Sequence, residues 1–468
     1  MIARMSRAVL ALPVITSIIG LALLLFWWTQ NREDGLSERA PGADQPPGVD
    51  LAAALNPVSA GKVLEGPGRP SASSGSWNQF RGPNRDGSSQ ESTSLAQTWE
   101  PTGPRELWAV DCGEGYAGVA VRDGRVYLMD YDAEKKQSAL RCLSAADGQE
   151  IWRFAYPLSL KRNHGVTRTV PTVTENRVVA LDSKCNVVCL NSASGELRWG
   201  VNLVHEYGSV IPPWYAGQCP LVESNAVILA PAGRDTLLAA VDLETGQALW
   251  RTPNPRGWKM THSSVMPMEM GGRRFYIYCG SGGVAGVSAT NGELLWETTD
   301  WKISIATIPS PLVLDGGRIF LCGGYNAGSL MLQLKDEGGV LMPKVLFRLA
   351  PEVFGATQHT PILLDGFLYG VRPNGQFVCL TLDGEVRWAS PAGEQFGLGP
   401  FLLANGLFYI MNDSGKLTLA DATPARYHLL AEAQVLKGHE SWGPMSLVNG
   451  HLFVRDFTRL ACLDVSAR

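Results

Sequence analysis

The sequence lacks both a charge excess and the local motifs that identify several large classes of enzyme. Of its 468 residues, 18% are charged and the formal net charge is −4, so no basic surface for nucleic acid is indicated. It contains no Cys-x-x-Cys-His run for haem and no Gly-x-x-x-x-Gly-Lys-Ser/Thr loop for phosphate. The Gly-x-Ser-x-Gly turn that presents a nucleophilic serine is missing as well. No catalytic residue is therefore predicted.

A repeated pair is present instead, because a glycine is followed four residues later by a tryptophan five times. The pairs are Gly148/Trp152, Gly195/Trp199, Gly246/Trp250, Gly292/Trp296 and Gly384/Trp388. The tryptophans are 47, 51, 46 and 92 residues apart, and the last interval is twice 46. Phe347 fills the missing position, and Trp108 continues the period at the other end. A period of this length indicates a repeat architecture.

Eight tight-turn pairs, most of them containing Gly or Asn, lie between apolar runs in parallel with this period. They are Asp123-Gly124, Glu175-Asn176, Ser224-Asn225, Gly271-Gly272, Asp315-Gly316, Asp365-Gly366, Asn405-Gly406 and Asn449-Gly450. The two-residue turn of a β-hairpin requires positive φ at both of its residues, which Gly, Asn and Asp accept most readily. Pairs of this kind therefore predict turns between antiparallel strands. Two more strands follow in each unit, and the second carries the tryptophan. Four short strands per unit are typical of one propeller blade.

The two ends of the repeat are complementary. The last unit ends near residues 460–464 without a tryptophan strand, whereas the Trp108 strand has no unit before it. We therefore expect the Trp108 strand to complete the eighth blade and close the ring. The sequence predicts an all-β, eight-bladed β-propeller of four-stranded antiparallel blades, with the repeated tryptophans packed between neighbouring blades.

The nine cysteines do not indicate a disulfide framework. Four of them occupy the same position on the third strand of a unit, where other units have Ala or Gly: Cys142, Cys189, Cys379 and Cys462. A position shared by Cys, Ala and Gly requires a small buried residue, so free core thiols are predicted. Cys185 and Cys189 are the pair to test for a disulfide.

The N-terminal part differs in composition from the repeat. Residues 8–28 are uncharged and apolar, with Arg4 and Arg7 before them, which predicts a transmembrane helix with a cytoplasmic N-terminus. A cleaved signal peptide is the alternative. The predicted organisation is a cytoplasmic stub and anchor (residues 1–30), a disordered Pro/Gly/Ser-rich linker (residues 31–76) and the propeller (residues 77–468).

A binding site is expected where the loops that precede the innermost strands converge on the central channel. Several of these loops carry cationic, histidine or tryptophan side chains. The candidate ligand-binding residues are Arg162, His164, Arg168, Trp214, Lys259, His262, His359 and Trp442. The cations would contact anionic groups and the tryptophans would stack, although solvated loop polarity explains the same residues equally well.

The three histidines of this set do not predict a metal site. They precede the proline that follows each loop by seven, five and two residues. Ligands related by propeller symmetry would share one offset, so neither a metal nor another cofactor is expected from the residues themselves.

The run Val-Asp-Leu-Glu-Thr-Gly-Gln-Ala-Leu-Trp at residues 241–250 resembles the pyrroloquinoline-quinone-like (PQQ-like) propeller repeat. The run recurs five times in register, and the resemblance covers about residues 75–468. The segment Trp-Asn-Gln-Phe-Arg-Gly-Pro at residues 77–83, with Asp86-Gly87, is similar to the start of secreted or anchored proteins of this group from planctomycete-type bacteria. We expect that segment to pack under the ring.

The resemblance implies two different functions. Quinoprotein alcohol dehydrogenases of this superfamily hold PQQ and calcium in the funnel, commonly beneath a disulfide between adjacent cysteines, with an aspartate as base. Here no two cysteines are adjacent, and no Asp/Asn/Glu set matches that site. The other branch resembles the outer-membrane assembly lipoprotein, which binds partner proteins without a cofactor. This chain differs there too, because its first cysteine is Cys112.

Together these observations predict a non-catalytic scaffold that binds a protein partner or a small polar ligand in its central funnel. It would be held in the inner membrane by one helix, with the propeller on the periplasmic side and no nucleic-acid partner. A PQQ-dependent alcohol dehydrogenase is the alternative.

Overall fold

A computed structural model describes residues 7–30, with side chains from 17 to 29, and residues 56–467. The chain divides into two compact units, Met1–Asp50 and Leu51–Arg468. The first contains helix α1 (Arg7–Gln30). Within the residues described, no helix meets the length and apolarity needed to cross a membrane. The transmembrane helix at residues 8–28 stays a prediction.

The strands of the second unit form eight sheets, and consecutive antiparallel strands make up each blade. Four strands precede the first complete hairpin: β1 (Lys62–Glu65), β2 (Ser76–Trp77), β3 (Ser88–Ser89) and β4 (Arg105–Asp111). Blade 1 contains β5 (Val119–Arg122), β6 (Arg125–Asp132), β7 (Gln137–Ser144) and β8 (Glu150–Pro157). Blade 2 contains β9 (Thr172–Val173), β10 (Arg177–Leu181), β11 (Asn186–Asn191) and β12 (Leu197–Asn202).

Blades 3 to 5 follow in chain order. Blade 3 contains β13 (Leu221–Glu223), β14 (Ala226–Leu229), β15 (Thr236–Asp242) and β16 (Ala248–Pro253). Blade 4 contains β17 (Met266–Met270), β18 (Arg273–Gly280), β19 (Gly283–Ser288) and β20 (Leu294–Thr298). Blade 5 contains β21 (Leu312–Leu314), β22 (Arg318–Gly323), β23 (Gly328–Glu337) and β24 (Val340–Leu349).

The last three blades complete the ring. Blade 6 contains β25 (Ile362–Leu364), β26 (Phe367–Val371), β27 (Phe377–Thr381) and β28 (Val386–Ala389). Blade 7 contains β29 (Phe401–Ala404), β30 (Leu407–Met411), β31 (Lys416–Asp421) and β32 (Leu429–Gln434). Blade 8 contains β33 (Ser446–Val448), β34 (His451–Arg455) and β35 (Arg459–Asp464). A short helix α2 (Leu203–Tyr207) and two 3-10 turns, Pro57–Ala60 and Asp315–Gly317, lie between strands.

The eighth blade is closed by the strand that precedes the first blade. Strand β4 pairs antiparallel with β35, and Trp108 lies opposite Cys462. This confirms the predicted eight-bladed propeller and the position of its closure. All eight predicted turn pairs lie at hairpins, and in five of them both residues have positive φ, as Asn405 and Gly406 do at 47° and 78° between β29 and β30. At Glu175 and Asn176 neither residue does.

The repeated tryptophans pack between blades, as predicted. A Cβ atom placed on Gly195 would lie 2.6 Å from the Trp152 ring of the preceding blade, and one on Gly246 would lie 2.7 Å from Trp199. In blade 5, Phe347 shares this role with Leu349: the corresponding point at Gly384 lies 2.6 Å from Leu349 Cδ2 and 3.2 Å from the Phe347 ring. Four of the rings, those of Trp108, Trp152, Trp199 and Trp250, thus occupy the space that a missing side chain leaves in the next blade.

All nine cysteines, which lie within the described residues, are free thiols. The shared position on the third strand is paired across the sheet with the repeated aromatic ring, as Cys142 is with Trp152 and Cys189 with Trp199. In blade 4 this position is Gly286, where a Cβ would lie 2.0 Å from Trp296 Nε1. The small residue is required by the ring beside it.

Part of the predicted linker is structured, which corrects the boundary at residue 77. The 3-10 turn at residues 57–60 is followed by β1, which pairs antiparallel with the outer strand β8 of blade 1. The prediction of a disordered linker is therefore wrong from residue 56 onward. Residues 31–55 of that linker lie outside the described residues.

The segment at residues 76–89 crosses the inside of the ring. Strand β2 pairs with β5 of blade 1, and β3 pairs in parallel with β29 of blade 7. Between them, Arg81 Nη1 donates to the Thr360 carbonyl at 2.7 Å. Arg85, which is 1% exposed, donates to the Pro220 carbonyl at 3.2 Å. This segment therefore packs under the ring as predicted and ties blades from different parts of the chain together.

Candidate functional site

One cavity of about 290 Å³ lies among the loops that lead to the innermost strands. Six of the eight predicted residues line it: His164, Arg168, Trp214, His262, His359 and Trp442. Residues of the segment under the ring, including Trp77 and Arg81, also contribute to its wall. The loops therefore converge as the sequence predicts. That these residues bind a ligand stays a prediction.

One wall of the cavity is aromatic. The Tyr116 ring stacks on Trp442 with centroids 5.1 Å apart, and the His164 ring meets Trp442 edge-on at 5.9 Å. The Tyr116 hydroxyl donates to Glu440 Oε2 at 2.9 Å. Burial, with the nearby Glu440 carboxylate, raises the pKa of Tyr116, so the phenol keeps its proton. This wall offers flat, electron-rich faces to a bound ring.

Arg168 lies against this aromatic wall, with its guanidinium carbon 5.1 Å from the centre of the Tyr116 ring. Its Nη2 donates to the His164 carbonyl at 2.8 Å. Its Nη1 is buried and has no hydrogen-bond partner among the described residues. Burial lowers the pKa of Arg168 to about 10, which leaves the group charged at neutral pH. Arg168 therefore adds a positive charge to the wall of the cavity.

His262 lies deep in the cavity and is 9% exposed. Its ring fills the space beside Gly217, where a Cβ would lie 2.4 Å from the His262 Cδ2 atom. Its Nε2 is buried without a hydrogen-bond partner among the described residues. Burial, and to a smaller extent the charge of Arg168, lowers the pKa of His262 to about 4. The imidazole is therefore neutral at physiological pH.

His359 repeats this arrangement on another blade. It is 9% exposed, its ring centre lies 5.5 Å from that of Phe401, and its Nε2 has no partner among the described residues. Burial lowers its pKa, while hydrogen bonds with the backbone of Leu398 and Gly399 act in the opposite direction. Two neutral imidazoles therefore line the cavity, each with a buried ring nitrogen that has no partner among the described residues.

Two predicted residues do not line the cavity. The Arg162 side chain is 77% exposed and forms an ion pair with Glu114 at 2.7 Å. Lys259 is exposed, and its backbone N–H donates to Ser281 Oγ at 2.8 Å. Both belong to the predicted loops but point to solvent, so the structure corrects their assignment to the funnel.

Other lining residues were not predicted. Tyr116 lies in the loop before β5, which is the blade 1 equivalent of the loops considered, so the same rule applied to blade 1 would have found it. Trp77, Arg81 and Phe401 also line the cavity. Trp77 and Arg81 belong to a segment whose packing role was predicted, but no local signal places it at the cavity.

The cavity does not fit a calcium-dependent quinone. Calcium prefers carboxylate and amide oxygens, yet among the described residues that line the cavity only Gln358 carries such an oxygen in its side chain. Within the same described part of the chain, no group of three His, Cys, Asp or Glu residues is placed to hold a metal ion. The lining is instead mainly aromatic and apolar, with histidine and arginine side chains in it.

Comparison with known proteins identifies curated relatives of low sequence identity. A curated relative from Yersinia pestis, named outer membrane protein assembly factor BamB, is 23% identical over 231 residues, which are 48% of this chain and 52% of that protein. The chain thus spans about half the length of this relative. A protein of the same name from Moranella endobia is 20% identical, over 68% of this chain and 70% of its own.

A solved structure is also similar. The crystal structure of BamB from Moraxella catarrhalis superimposes with a TM-score of 0.52 at 12% identity, covering 77% of this chain and 99% of that one. This likeness concerns the fold. The family model described as outer membrane protein assembly factor BamB matches residues 93–184 and 135–390. Because these residues span more than half of the sequence, the chain belongs to the BamB family of PQQ-like propellers.

Proposed function

We propose that this propeller is a non-catalytic scaffold that binds a protein partner in an assembly of the outer-membrane type. The observation that carries this proposal is the family match over residues 93–390, together with two relatives named for outer membrane protein assembly. Fold alone does not determine function, so the proposal also needs a surface suited to a partner.

The outer strand of blade 5 offers such a surface. On β24, Val340, Met342 and Leu346 are 57%, 49% and 48% exposed and alternate with less exposed residues. Among the described strands, β24 is hydrogen-bonded on one side only, to β23. By contrast, the outer strand of blade 1 is covered by β1. An uncovered edge with apolar side chains is typical of a protein contact.

The ring supports this role as a rigid frame. Its closure by β4 and the segment crossing its inside leave few free ends, so a partner would meet a surface that is already ordered. Binding to a preformed surface costs less conformational entropy than binding to a mobile one.

We further propose that residues 8–28 anchor the chain in a membrane, with the propeller on the extracytoplasmic side. The uncharged run of 21 residues after Arg4 and Arg7 supports this. The full chain should stay with membranes after alkaline carbonate extraction, whereas Leu23→Arg with Leu24→Arg should release it. A mature protein whose mass lacks the first thirty or so residues would instead indicate a cleaved signal peptide.

The scaffold proposal is tested by isolating the full chain from its own membranes after mild crosslinking. We expect one polypeptide to co-elute as a discrete complex, and the double change Met342→Lys and Leu346→Lys to abolish it. Leu429→Lys, on the outer strand of blade 7 and 36% exposed, is the matched control and should keep the complex. A chain that elutes alone and oxidises alcohols with PQQ and calcium would support the dehydrogenase alternative.

A further inference from the structure

We propose that the interface between blades 6 and 7 is where the ring opens most readily, and that Arg81 together with residues 86–89 forms a clasp that keeps it closed. The clasp is separate from the surface proposed for a protein partner. Neighbouring blades are joined in one way from blade 2 to blade 6 and in another way between blades 6 and 7, and this difference places the opening there.

Blades 2 to 6 are joined by a relay of buried hydrogen bonds. In each bond, a backbone N–H just before an inner strand donates to the side chain of a residue at the same place in the next blade. The four bonds are Val170 N–H to Cys219 Sγ at 3.2 Å, Cys219 N–H to Ser264 Oγ at 2.9 Å, Ser264 N–H to Ser310 Oγ at 3.1 Å and Ser310 N–H to Thr360 Oγ1 at 2.8 Å. All five residues are at most 4% exposed, so the relay is strengthened by its low-dielectric surroundings.

The relay ends at blade 6 because blade 7 has no side chain that can continue it. Thr360 lies five residues before the hairpin turn of blade 6, and the residue five before the turn of blade 7 is Pro400. The proline side chain has no polar atom to accept a hydrogen bond. Near the channel, blades 6 and 7 meet through the rings of His359 and Phe401, whose centres are 5.5 Å apart.

The three remaining interfaces also lack the relay, but each has another polar link near the inner strands. These links are Trp442 Nε1 to Asp413 Oδ1 at 2.7 Å between blades 8 and 7, Ser446 Oγ to the Val119 carbonyl at 2.7 Å between blades 8 and 1, and Tyr116 N–H to the Thr167 carbonyl at 2.6 Å between blades 1 and 2. Between blades 6 and 7 the clasp takes this place.

The clasp holds blade 6 through Arg81. Its Nη1 donates to the Thr360 carbonyl at 2.7 Å, and its Nη2 donates to the Pro361 carbonyl at 2.8 Å. Burial lowers the pKa of Arg81 to about 10, which leaves the guanidinium charged at neutral pH. Hydrogen bonds from a charged donor are stronger than those from a neutral one, so the last blade of the relay is firmly bound.

The clasp holds blade 7 through its other end. Leu403 N–H donates to the Gly87 carbonyl at 3.0 Å, and β3 continues this contact by pairing in parallel with β29. The two ends are bound to each other, because Gly87 N–H donates to the Arg81 carbonyl at 2.9 Å and Arg81 Nη2 donates to the Asp86 carbonyl at 2.7 Å. A Cβ on Gly87, whose φ is 82°, would lie 3.1 Å from Ile362 of blade 6 and 3.2 Å from Arg81. A side chain at residue 87 would therefore disturb the clasp.

Native-state hydrogen exchange of the full chain in detergent, followed by mass spectrometry, tests the clasp. Arg81→Met removes both bonds to blade 6, so the amides of β3 and β29 should exchange about tenfold faster or more. The amides of β13 should change less than about twofold, because the relay joins blade 3 on both sides. Arg85→Met is the matched control, since Arg85 belongs to the same segment but donates to the Pro220 carbonyl of blade 3. It should leave the exchange of β29 unchanged.

Two further variants separate the clasp from the relay. Ser310→Ala removes the acceptor of Ser264 N–H, so it should accelerate exchange in β17 and leave β29 unchanged. If Arg81→Met does not fold, Gly87→Ala replaces it and should accelerate exchange in β29 about threefold or more, because the methyl group meets Ile362. Equal acceleration of β13 and β29 in the clasp variant, or acceleration of neither, would overturn the proposal.

Discussion

Trp108 and Gly148 join the two ends of the ring. The Trp108 ring of blade 8 lies where the side chain of Gly148 in blade 1 would be, since a Cβ there would be 2.6 Å from Trp108 Cε3. Trp108 Nε1 also donates to the Ala145 carbonyl at 3.0 Å. This contact fastens the strand contributed from before blade 1 to blade 1 itself, so the closure of the propeller depends on it.

Gly148→Ala should therefore destabilise the propeller by about 3 kcal/mol, because the new methyl group meets the Trp108 ring at a residue with positive φ. Gly366→Ala is the matched control. Gly366 also has a positive φ of 79°, but nothing lies within 4 Å of its added Cβ, so a loss of about 1 kcal/mol is expected. Urea unfolding followed by tryptophan fluorescence measures both. Equal losses would show that backbone strain alone accounts for the effect.

The indole hydrogen bond at the closure gives a second prediction. Trp108→Phe removes the donor to the buried Ala145 carbonyl, whereas Trp152 Nε1 has no hydrogen-bond partner among the described residues. Trp108→Phe should therefore cost about 1–2 kcal/mol more than Trp152→Phe, since both rings are buried and lose similar apolar area. Thermal unfolding of the two variants tests this. A larger loss for Trp152→Phe would be inconsistent with a special role of the closing strand.

The buried His262 makes stability depend on pH. Its pKa is about 4 in the folded protein and about 6.5 when unfolded, so the unfolded chain binds the additional proton as pH falls below about 6.5. From pH 7.5 to pH 5 the wild type should lose about 2 kcal/mol through this residue, with a further loss from His359, whose pKa is also lowered. His262→Phe should remove the first contribution. A variant whose stability falls with pH as steeply as the wild type would refute this origin.

The cysteine thiols should react very slowly with a thiol reagent in the native state. Eight of the nine cysteines are buried, and burial raises the pKa of Cys112, the half-buried one, to about 11. Because the thiolate is the reactive form, thiol titration of the native protein should give little reaction within minutes. Nine thiols should react after unfolding without a reducing agent. Seven would reveal one disulfide, for which Cys185 and Cys189 would be examined first.

The architecture could be predicted because each blade carries the same short sequence signals. Glycine and tryptophan recur at the same distance in each blade, and turn pairs such as Asn405-Gly406 require a backbone that few residues accept. Strand β1 could not be predicted in this way. It lies in a Pro- and Gly-rich region, and its partner β8 is about ninety residues away, so only tertiary pairing makes it a strand.

The candidate site was predictable to the level of loops. Arg162 and Arg168 belong to the same loop and have the same chemistry, yet Arg162 pairs with Glu114 in solvent while Arg168 turns onto the Tyr116 ring. The direction of a side chain in an irregular loop depends on neighbours that are distant in sequence. The sequence therefore indicates which loops converge on the cavity. Only the structure shows which of their side chains line it.

The scaffold function is tested most directly by native mass spectrometry of the full chain released from its own membranes in detergent. The proposed function predicts a complex of defined stoichiometry with a second polypeptide, lost in the Met342→Lys and Leu346→Lys variant and retained in Leu429→Lys. A monomer that carries PQQ and oxidises an alcohol with an added dye would contradict it.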